Sequence, residues 1–248
     1  MLRKKVLRKV LLPIFAIATL SPAAVIAEDA KAPEPVRQAA QRIFSAGVDS
    51  IAKAPIPGLY EVTSGMDILY VSQDGKFAIE GDIFQLEKGK DLTEQKRNHL
   101  RSIAIRNIGK EGMITFAPDT PRHTITVFTD VDCSYCRKLH TEVPQLNDAG
   151  IAVQYLAFPR AGIPSDTFDT MVSVWCADDR KKAMTDAKRG KAVPAKQCKN
   201  PVERHFALGK KIGIRGTPAI LLQDGALISG YLPASRLQKI LEKTFPSR

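Results

Sequence analysis

Histidine and cysteine are scarce in this chain of 248 residues, which has four of each. Cys133 and Cys136 are close neighbours, but Cys176 and Cys198 are too far apart to form the second close ligand pair that a zinc site needs. No cluster of histidines lies beside either of them. We therefore interpret Cys133 and Cys136 as a redox pair, and we expect no metal, nucleotide or organic cofactor.

Long apolar runs are absent after residue 27. Before it, a basic head from Arg3 to Lys9 precedes a mostly apolar stretch, Val10 to Leu20, and small residues that end at Ala27. This order is typical of a secretory signal peptide, residues 1–27, and Pro13 disfavours an uncleaved membrane anchor. The mature chain is therefore expected in an oxidising compartment, where cysteines normally pair.

Acidic residues are outnumbered, with 26 Asp and Glu against 37 Lys and Arg, for a net charge of +11. Five of the basic residues lie in the leader, so the remaining chain has 32 against 26, or +6. The rest occur in pairs such as Lys181-Lys182 and Lys210-Lys211 without interleaved aromatic residues, as solvated helix faces do. We expect no nucleic-acid binding.

The Cys133-Ser134-Tyr135-Cys136 segment follows an apolar β-like run, 123–130, and opens a helical pattern. A sulfur at a helix N-terminus meets unpaired N–H groups and the positive end of the macrodipole, which favour the thiolate. We predict that Cys133 is the exposed attacking thiolate. Cys136, one turn later, is predicted to be the more buried resolving thiol.

The region that follows the leader predicts a small antiparallel α+β module. Apolar residues recur at helical spacing from Pro35 to about Gly47. Short β-like runs follow at 59–62, 68–71, 77–79 and 83–86. Ser72–Gly75 is a good hairpin turn, because glycine tolerates the positive φ that such turns require. The module has no cysteine and no catalytic pairing of carboxylates.

Residues 92 to about 109 form a strongly charged helical pattern with one apolar stripe. Thr93 is placed to cap the helix, and Gly109 and Gly112 end it. A charged helix between two modules predicts a connector, although an ordinary surface helix shows the same pattern.

Beyond Gly112 the order of elements is strand, cysteine helix and a second strand, 151–158, which predicts a parallel unit with a crossover. Helical pattern then dominates 166–188 and 202–211, before two short strands and a last helix near 233–244. This is the thioredoxin order with a helical insertion, and that fold carries a Cys-X-X-Cys redox centre at the end of its first strand.

Several segments resemble the DsbC/DsbG family of bacterial periplasmic disulfide isomerases. They are Thr124–Asp130, Cys133–Cys136, Tyr155–Arg160, Trp175-Cys176 and Gly216–Ala219. The resemblance covers the mature chain and is strongest from about residue 113 onward.

That resemblance implies a V-shaped homodimer in the periplasm. Each chain would supply a cystatin-like dimerisation domain (28–91), a linker helix (92–111) and a thioredoxin-like catalytic domain (112–248). The family's dithiol is kept reduced by the membrane reductase DsbD. Misoxidised and unfolded exported proteins are the implied clients.

The resemblance also assigns roles around the dithiol. Thr217-Pro218 matches the family's cis-proline loop, which faces the active sulfurs and leaves the Thr217 backbone free to pair with a client strand.

Ser134 departs from the family, which usually has glycine there. Its hydroxyl either donates to a sulfur or simply starts the helix. Tyr135 either packs over the site or contacts a client.

The second cysteine pair, Cys176 and Cys198, is predicted to form a structural disulfide around a basic segment. A loop of that length gains ~3 kcal/mol by chain-entropy arithmetic. A second redox relay would instead need a close Cys-X-X-Cys pair.

His140 is interpreted as a packing or surface residue and not as a base. Asp130 and Asp132 either cap the cysteine helix or raise the pKa of Cys133.

These observations predict a periplasmic thiol:disulfide interchange enzyme that isomerises non-native disulfides through Cys133 and Cys136. Two alternatives remain. One is a DsbG-like reductase of sulfenylated cysteines, which would use the same two sulfurs. The other is a non-enzymatic holdase that binds unfolded chains in the dimer cleft.

Overall fold

The computed structural model describes residues 32–246. The predicted signal peptide, residues 1–27, lies outside them. Within the described range no helix has the length and apolar character needed to cross a membrane.

The N-terminal module is one helix on a four-stranded antiparallel sheet. Helix α1 spans Glu34–Ile43, and the strands follow in sequence order across the sheet. They are β1 (Ser50–Lys53), β2 (Leu59–Ser64), β3 (Asp67–Ser72) and β4 (Ala78–Ile79). The apolar face of α1 covers β2 and β3 in a small core that includes Val36, Ala40 and Val62. The α+β prediction is confirmed, and β1 is a strand that the apolar pattern did not predict.

The predicted hairpin turn joins β3 to β4. Gly75 has φ +69° there, and a side chain at this position would collide with the backbone of Pro35 at the start of α1. Glycine is therefore required both by the turn and by the close approach of the helix. The chain then forms a two-stranded ribbon, β5 (Phe84–Gln85) with β6 (Lys90–Asp91).

The charged helix α2 spans Leu92–Ile108, and Gly109 follows it. The prediction that Thr93 caps it is wrong, because the Asp91 carboxylate accepts the Glu94 amide at 2.8 Å. Thr93 is instead buried, and its hydroxyl lies 2.6 Å from the Tyr70 hydroxyl and accepts the Ile83 amide at 2.8 Å. Thr93 thus fastens the start of the helix to the N-terminal sheet.

The second module has a five-stranded sheet in the order β11-β10-β8-β9-β7. The strands are β7 (Ile114–Phe116), β8 (His123–Thr129), β9 (Ile151–Ala157), β10 (Ala219–Leu221) and β11 (Leu227–Ser229). β8 and β9 are parallel, as predicted. β10 pairs antiparallel with β8, β7 with β9, and β11 with β10. This is a thioredoxin-like sheet.

Six helices belong to this module. They are α3 (Ser134–Thr141), α4 (Val143–Asp148), α5 (Asp166–Cys176), α6 (Arg180–Lys188), α7 (Val202–Lys211) and α8 (Ala234–Thr244). Successive residues of the strands enter two different cores, as the two-residue period of a strand requires. Ile125 and Val127 enter the core that contains Trp175, whereas Phe128 enters a second core that Ile108 of α2 contacts. The sheet is therefore covered on both faces.

The helical insertion is held by a disulfide between Cys176, the last residue of α5, and Cys198, in the loop before α7. Their Cα atoms are 5.6 Å apart, and the loop that the bond closes contains α6. Trp175 is fully buried beside it and donates from Nε1 to the carbonyl of Gly112 at 2.9 Å. The insertion is thus joined to the segment that leads from α2 into the sheet.

Candidate active site

The two free cysteines lie where β8 passes into α3. Cys133 is the N-cap of α3, and its sulfur accepts the backbone N–H of Cys136 at 3.3 Å. Ser134, the first residue of the helix, is exposed, and within the described chain its hydroxyl makes no hydrogen bond with either sulfur. Of the two interpretations of Ser134, the structure therefore favours a residue that starts the helix.

The expectation that Cys133 is exposed is wrong. Its residue surface is only 2% exposed, and that of Cys136 is 1%. The loop before β10 lies over the first sulfur, and the Cys133 thiol donates to the carbonyl of Thr217 at 3.2 Å. The exposed fraction of the residue therefore does not distinguish the two cysteines.

The Thr217–Pro218 peptide bond is cis, as the resemblance implies. Pro218 cannot donate a hydrogen bond, and its carbonyl accepts the amide of Gly230 beside β11 at 2.9 Å, which fixes the loop to the sheet. The hydroxyl of Thr217 is buried and has no hydrogen-bond partner within the described chain. The loop thus presents both a carbonyl and an unsatisfied hydroxyl close to the dithiol.

The pKa values of the two sulfurs shift in opposite directions. Burial raises the pKa of Cys133, but the neighbouring Thr217 side chain, the hydrogen bond from the Cys136 amide and the charge of Arg160 together outweigh burial and lower it. Burial also acts on Cys136, and there it prevails over the opposing charge of Lys188 and leaves the pKa raised. The thiolate is therefore favoured on Cys133 and disfavoured on Cys136.

The two aspartates before the cysteines do not cap α3. Asp130 is buried, and one carboxylate oxygen accepts both the backbone amide of Arg160 at 2.8 Å and its guanidinium at 3.1 Å. Asp132 accepts from Arg137 at 3.1 Å and from the Thr167 hydroxyl at 2.7 Å. Since each carboxylate has a partner, neither stands as an unpaired negative charge beside Cys133.

Tyr135 lies on the surface and is 59% exposed. Its ring stacks on Tyr231, with 6.0 Å between centroids, and the ammonium of Lys138 lies 4.8 Å from the centre of the Tyr231 ring. Tyr231 donates its hydroxyl to Glu142, a hydrogen bond that raises its pKa to about 12. The sequence singled out Tyr135 but not Tyr231, and together they form an aromatic surface beside the dithiol.

His140 is a packed residue, as the sequence analysis interpreted it. Its Nδ1 lies 3.0 Å from the Tyr155 hydroxyl and its Nε2 lies 3.1 Å from the Thr185 hydroxyl. Burial lowers its pKa to about 4, and the nearby charges of Lys188 and Arg189 act in the same direction. His140 is neutral at physiological pH and has both ring nitrogens occupied.

Lys188, at the end of α6, is a residue of the site that sequence reasoning missed. Its ammonium is buried beneath the dithiol and donates to the Thr129 hydroxyl at 2.6 Å and to the Asp130 carbonyl at 2.8 Å. In the sequence it stands in a Lys-Arg pair that looks like an ordinary solvated surface. Only the packing of α6 against the end of β8 places it at the active site.

No group of three or more metal-ligating side chains occurs between residues 32 and 246. A thioredoxin-like domain with free Cys-X-X-Cys sulfurs at the start of a helix, and a cis-proline loop over them, defines a thiol-disulfide oxidoreductase.

Comparison with known proteins extends this definition to the whole chain. Two family models match: a disulfide bond isomerase protein N-terminal domain over residues 23–94 and a thioredoxin-like domain over residues 110–245. The thiol:disulfide interchange protein DsbC of Escherichia coli (strain K12) is 36% identical over 205 residues, which cover 82% of this chain and 86% of the relative.

DsbC of Salmonella typhimurium is 38% identical over 205 residues, covering 82% of this chain and 85% of its own. The crystal structure of a disulfide interchange protein from Neisseria gonorrhoeae aligns with 54% of this chain and 96% of its own, at 31% identity and a TM-score of 0.49. The chain belongs to the DsbC family of thiol:disulfide interchange proteins.

Proposed function

We propose that this protein isomerises non-native disulfides of exported proteins, with Cys133 as the attacking sulfur and Cys136 as the resolving sulfur. The observation that carries the proposal is the position of Cys133 at the N-cap of α3, where its sulfur accepts the N–H of Cys136, and the opposite pKa shifts of the two sulfurs agree with it. Near neutral pH this difference concentrates thiolate on Cys133, and the thiolate is the form that attacks a disulfide.

In the first step the Cys133 thiolate attacks one sulfur of a mispaired client disulfide and forms a mixed disulfide. The other client sulfur leaves as a thiolate, which attacks elsewhere in the same client and releases Cys133. If rearrangement stalls, Cys136 attacks Cys133 and frees the client in reduced form.

The cis-proline loop is proposed to bind the client backbone. In the free protein the Thr217 carbonyl accepts the Cys133 thiol. Once Cys133 is a thiolate or part of a mixed disulfide, it has no proton to donate, and the carbonyl becomes available to an N–H of an extended client strand. The exposed ring of Tyr135, stacked on Tyr231, supplies an apolar surface beside that strand.

The N-terminal module is proposed to pair two chains into a homodimer. β4 is the edge of its sheet, and large apolar side chains around it are exposed. Phe77 is 68%, Ile79 50%, Phe84 59% and Leu86 88% exposed. Because an exposed apolar edge strand is a template for pairing with another chain, a second copy of this segment is the proposed partner.

The dimer is proposed to work in the periplasm, after removal of a signal peptide, with the membrane reductase DsbD as its electron donor. The same dimer would hold unfolded clients while their sulfurs exchange. Two tethered client-binding surfaces raise the effective concentration of the second contact, so a client stays bound through several exchanges.

Trapping of mixed disulfides tests the order of attack. In cells or with oxidised model clients, Cys136→Ala should accumulate client adducts on Cys133, because the resolving sulfur is missing. Cys133→Ala should accumulate none and should lose reactivation of scrambled ribonuclease. Stable adducts on Cys136 in Cys133→Ala, with none in the reciprocal variant, would reverse the assignment.

A further inference from the structure

Lys188 is a buried ammonium without a carboxylate partner. Its residue surface is only 4% exposed, and its Nζ donates to two neutral oxygens, the Thr129 hydroxyl and the Asp130 carbonyl. Within residues 32–246 it takes part in no ion pair. Burial of an unpaired charge is costly, and an anion beside the ammonium would offset that cost.

The carboxylate of Asp130 already forms an ion pair with another cation. Asp130 offers Lys188 its backbone carbonyl, whereas its carboxylate binds Arg160 through the backbone amide and the guanidinium. The Asp130 carbonyl that Lys188 contacts belongs to the short segment that leads into Cys133, and the dithiol is the group there that gains a negative charge during the reaction. The ammonium therefore faces a site whose charge changes within each catalytic cycle.

The pKa values reflect this arrangement. Burial lowers the pKa of Lys188 to about 8, and Cys136 is the largest influence that opposes the shift. Reciprocally, Lys188 is the largest influence that opposes the rise in the pKa of Cys136 caused by burial. The two groups are thus electrostatic partners in the low-dielectric interior.

Other charged and titratable groups around Lys188 do not substitute for it. These groups are Arg137 and His140 of α3, Tyr155 of β9, and Asp130 and Cys133 of the segment between β8 and α3. His140 is neutral at physiological pH, burial raises the pKa of Tyr155 well above that range, and Asp130 is bound to Arg160. Lys188 also lines a cavity of about 710 Å³ beside α3.

We propose that Lys188 is a positioning residue for the resolving step, in which its buried ammonium, supplied by the inserted helix α6, favours the thiolate of Cys136 as that sulfur attacks the mixed disulfide on Cys133. The inference rests on the dithiol chemistry proposed above. It assigns a chemical task to the insertion, which otherwise lies outside the thioredoxin-like sheet.

In the resolving step the S–H bond of Cys136 breaks and its proton passes to solvent. The Cys136 sulfur then bonds to Cys133, the bond between Cys133 and the client sulfur breaks, and the client sulfur leaves with the electron pair and takes up a proton. Over the attack and the resolving step together, the dithiol is oxidised by two electrons and the client disulfide is reduced by two.

Two substitutions separate charge from packing. Lys188→Met removes the charge and both hydrogen bonds, whereas Lys188→Gln removes the charge but keeps an amide donor for Thr129. Arg189→Met is the matched control, since Arg189 is the exposed cation next in sequence. The thiolate absorbance of Cys136 is titrated in full-length Cys133→Ala protein, where no other free thiol is present. Thermal unfolding establishes that each variant is folded.

We expect both Lys188 variants to raise the pKa of Cys136 by about one pH unit, a tenfold loss of thiolate at pH 7, and the control to leave it unchanged. With Cys133 restored, release of a preformed mixed disulfide should slow by only about threefold, since a more basic thiolate is more nucleophilic. An unchanged pKa in both variants, or a shift in Lys188→Met alone, would overturn the proposal. The titration reads Cys136 directly, so its result stands even if the client assays contradict isomerase activity.

Discussion

The N-terminal module and the thioredoxin-like domain treat their apolar residues in opposite ways. The module buries a small core around Val36 and Val62 but leaves Phe77 and Leu86 in solvent. The domain buries its largest side chains completely, including Trp175 and Tyr155, but exposes Tyr135 beside the sulfurs, where it stacks on the half-buried Tyr231. A surface made for another chain and a surface made for chemistry are thus separated along the sequence.

Removal of the disulfide should have the largest effect on stability, and the effect should be confined to the thioredoxin-like domain. Changing both Cys176 and Cys198 to Ala should destabilise the thioredoxin-like domain by about 3 kcal/mol, because the unfolded chain regains the freedom of the closed loop. The one tryptophan of the chain, Trp175, lies beside the bond and reports on this domain alone in denaturant titrations.

Protection of the β2 and β3 amides from hydrogen exchange should be unchanged in that double variant, and this serves as the internal control. Equal loss of protection in both modules would mean that they unfold as one unit. The two modules would then not be independent in stability.

Acid should act more weakly and on the same domain. Burial holds the pKa of His140 at about 4, below its unfolded value of 6.5. Its contribution to stability is therefore complete above pH 6.5 and is lost as the pH falls toward 4, because the unfolded state binds the proton first. The loss amounts to about 2–3 kcal/mol.

Tryptophan fluorescence in urea at a series of pH values measures this slope. His140→Gln should remove about half of this slope, because His205, whose pKa burial lowers to about 3, supplies the rest. His99→Gln, on α2, is the control and should leave the slope unchanged. A slope in His140→Gln that equals that of the unaltered protein would contradict this assignment and would leave His205 as the main source of the acid sensitivity.

Much of the fold followed from local signals. Apolar β-like runs predicted β8 and β9, helical spacing predicted α2 and α7, and the position of the cysteines after a strand predicted a helix N-terminus. Thr93 shows the limit of such reasoning, because a hydroxyl near a helix start looks like a cap whether or not the preceding Asp91 takes that position.

The interior of the site was less predictable. The burial of Cys133 depends on the loop that contains Thr217, which follows Cys133 by 84 residues. Lys188 looked like part of a solvated helix face, and only the packing of α6 on β8 brings its ammonium beneath the dithiol. Contacts between segments far apart in sequence have no local signature.

The most direct test of the division between the two regions is a full-length variant with charges on the exposed edge, Ile79→Asp with Phe84→Asp. Ile56→Asp, at a similarly exposed apolar residue of the same module, is the matched control. Light scattering, insulin reduction and reactivation of scrambled ribonuclease are measured on one preparation. The account predicts that the edge variant is a monomer that keeps insulin reduction and loses most ribonuclease reactivation, while the control remains a dimer with both activities. A monomer that reactivates ribonuclease at the unaltered rate would contradict it.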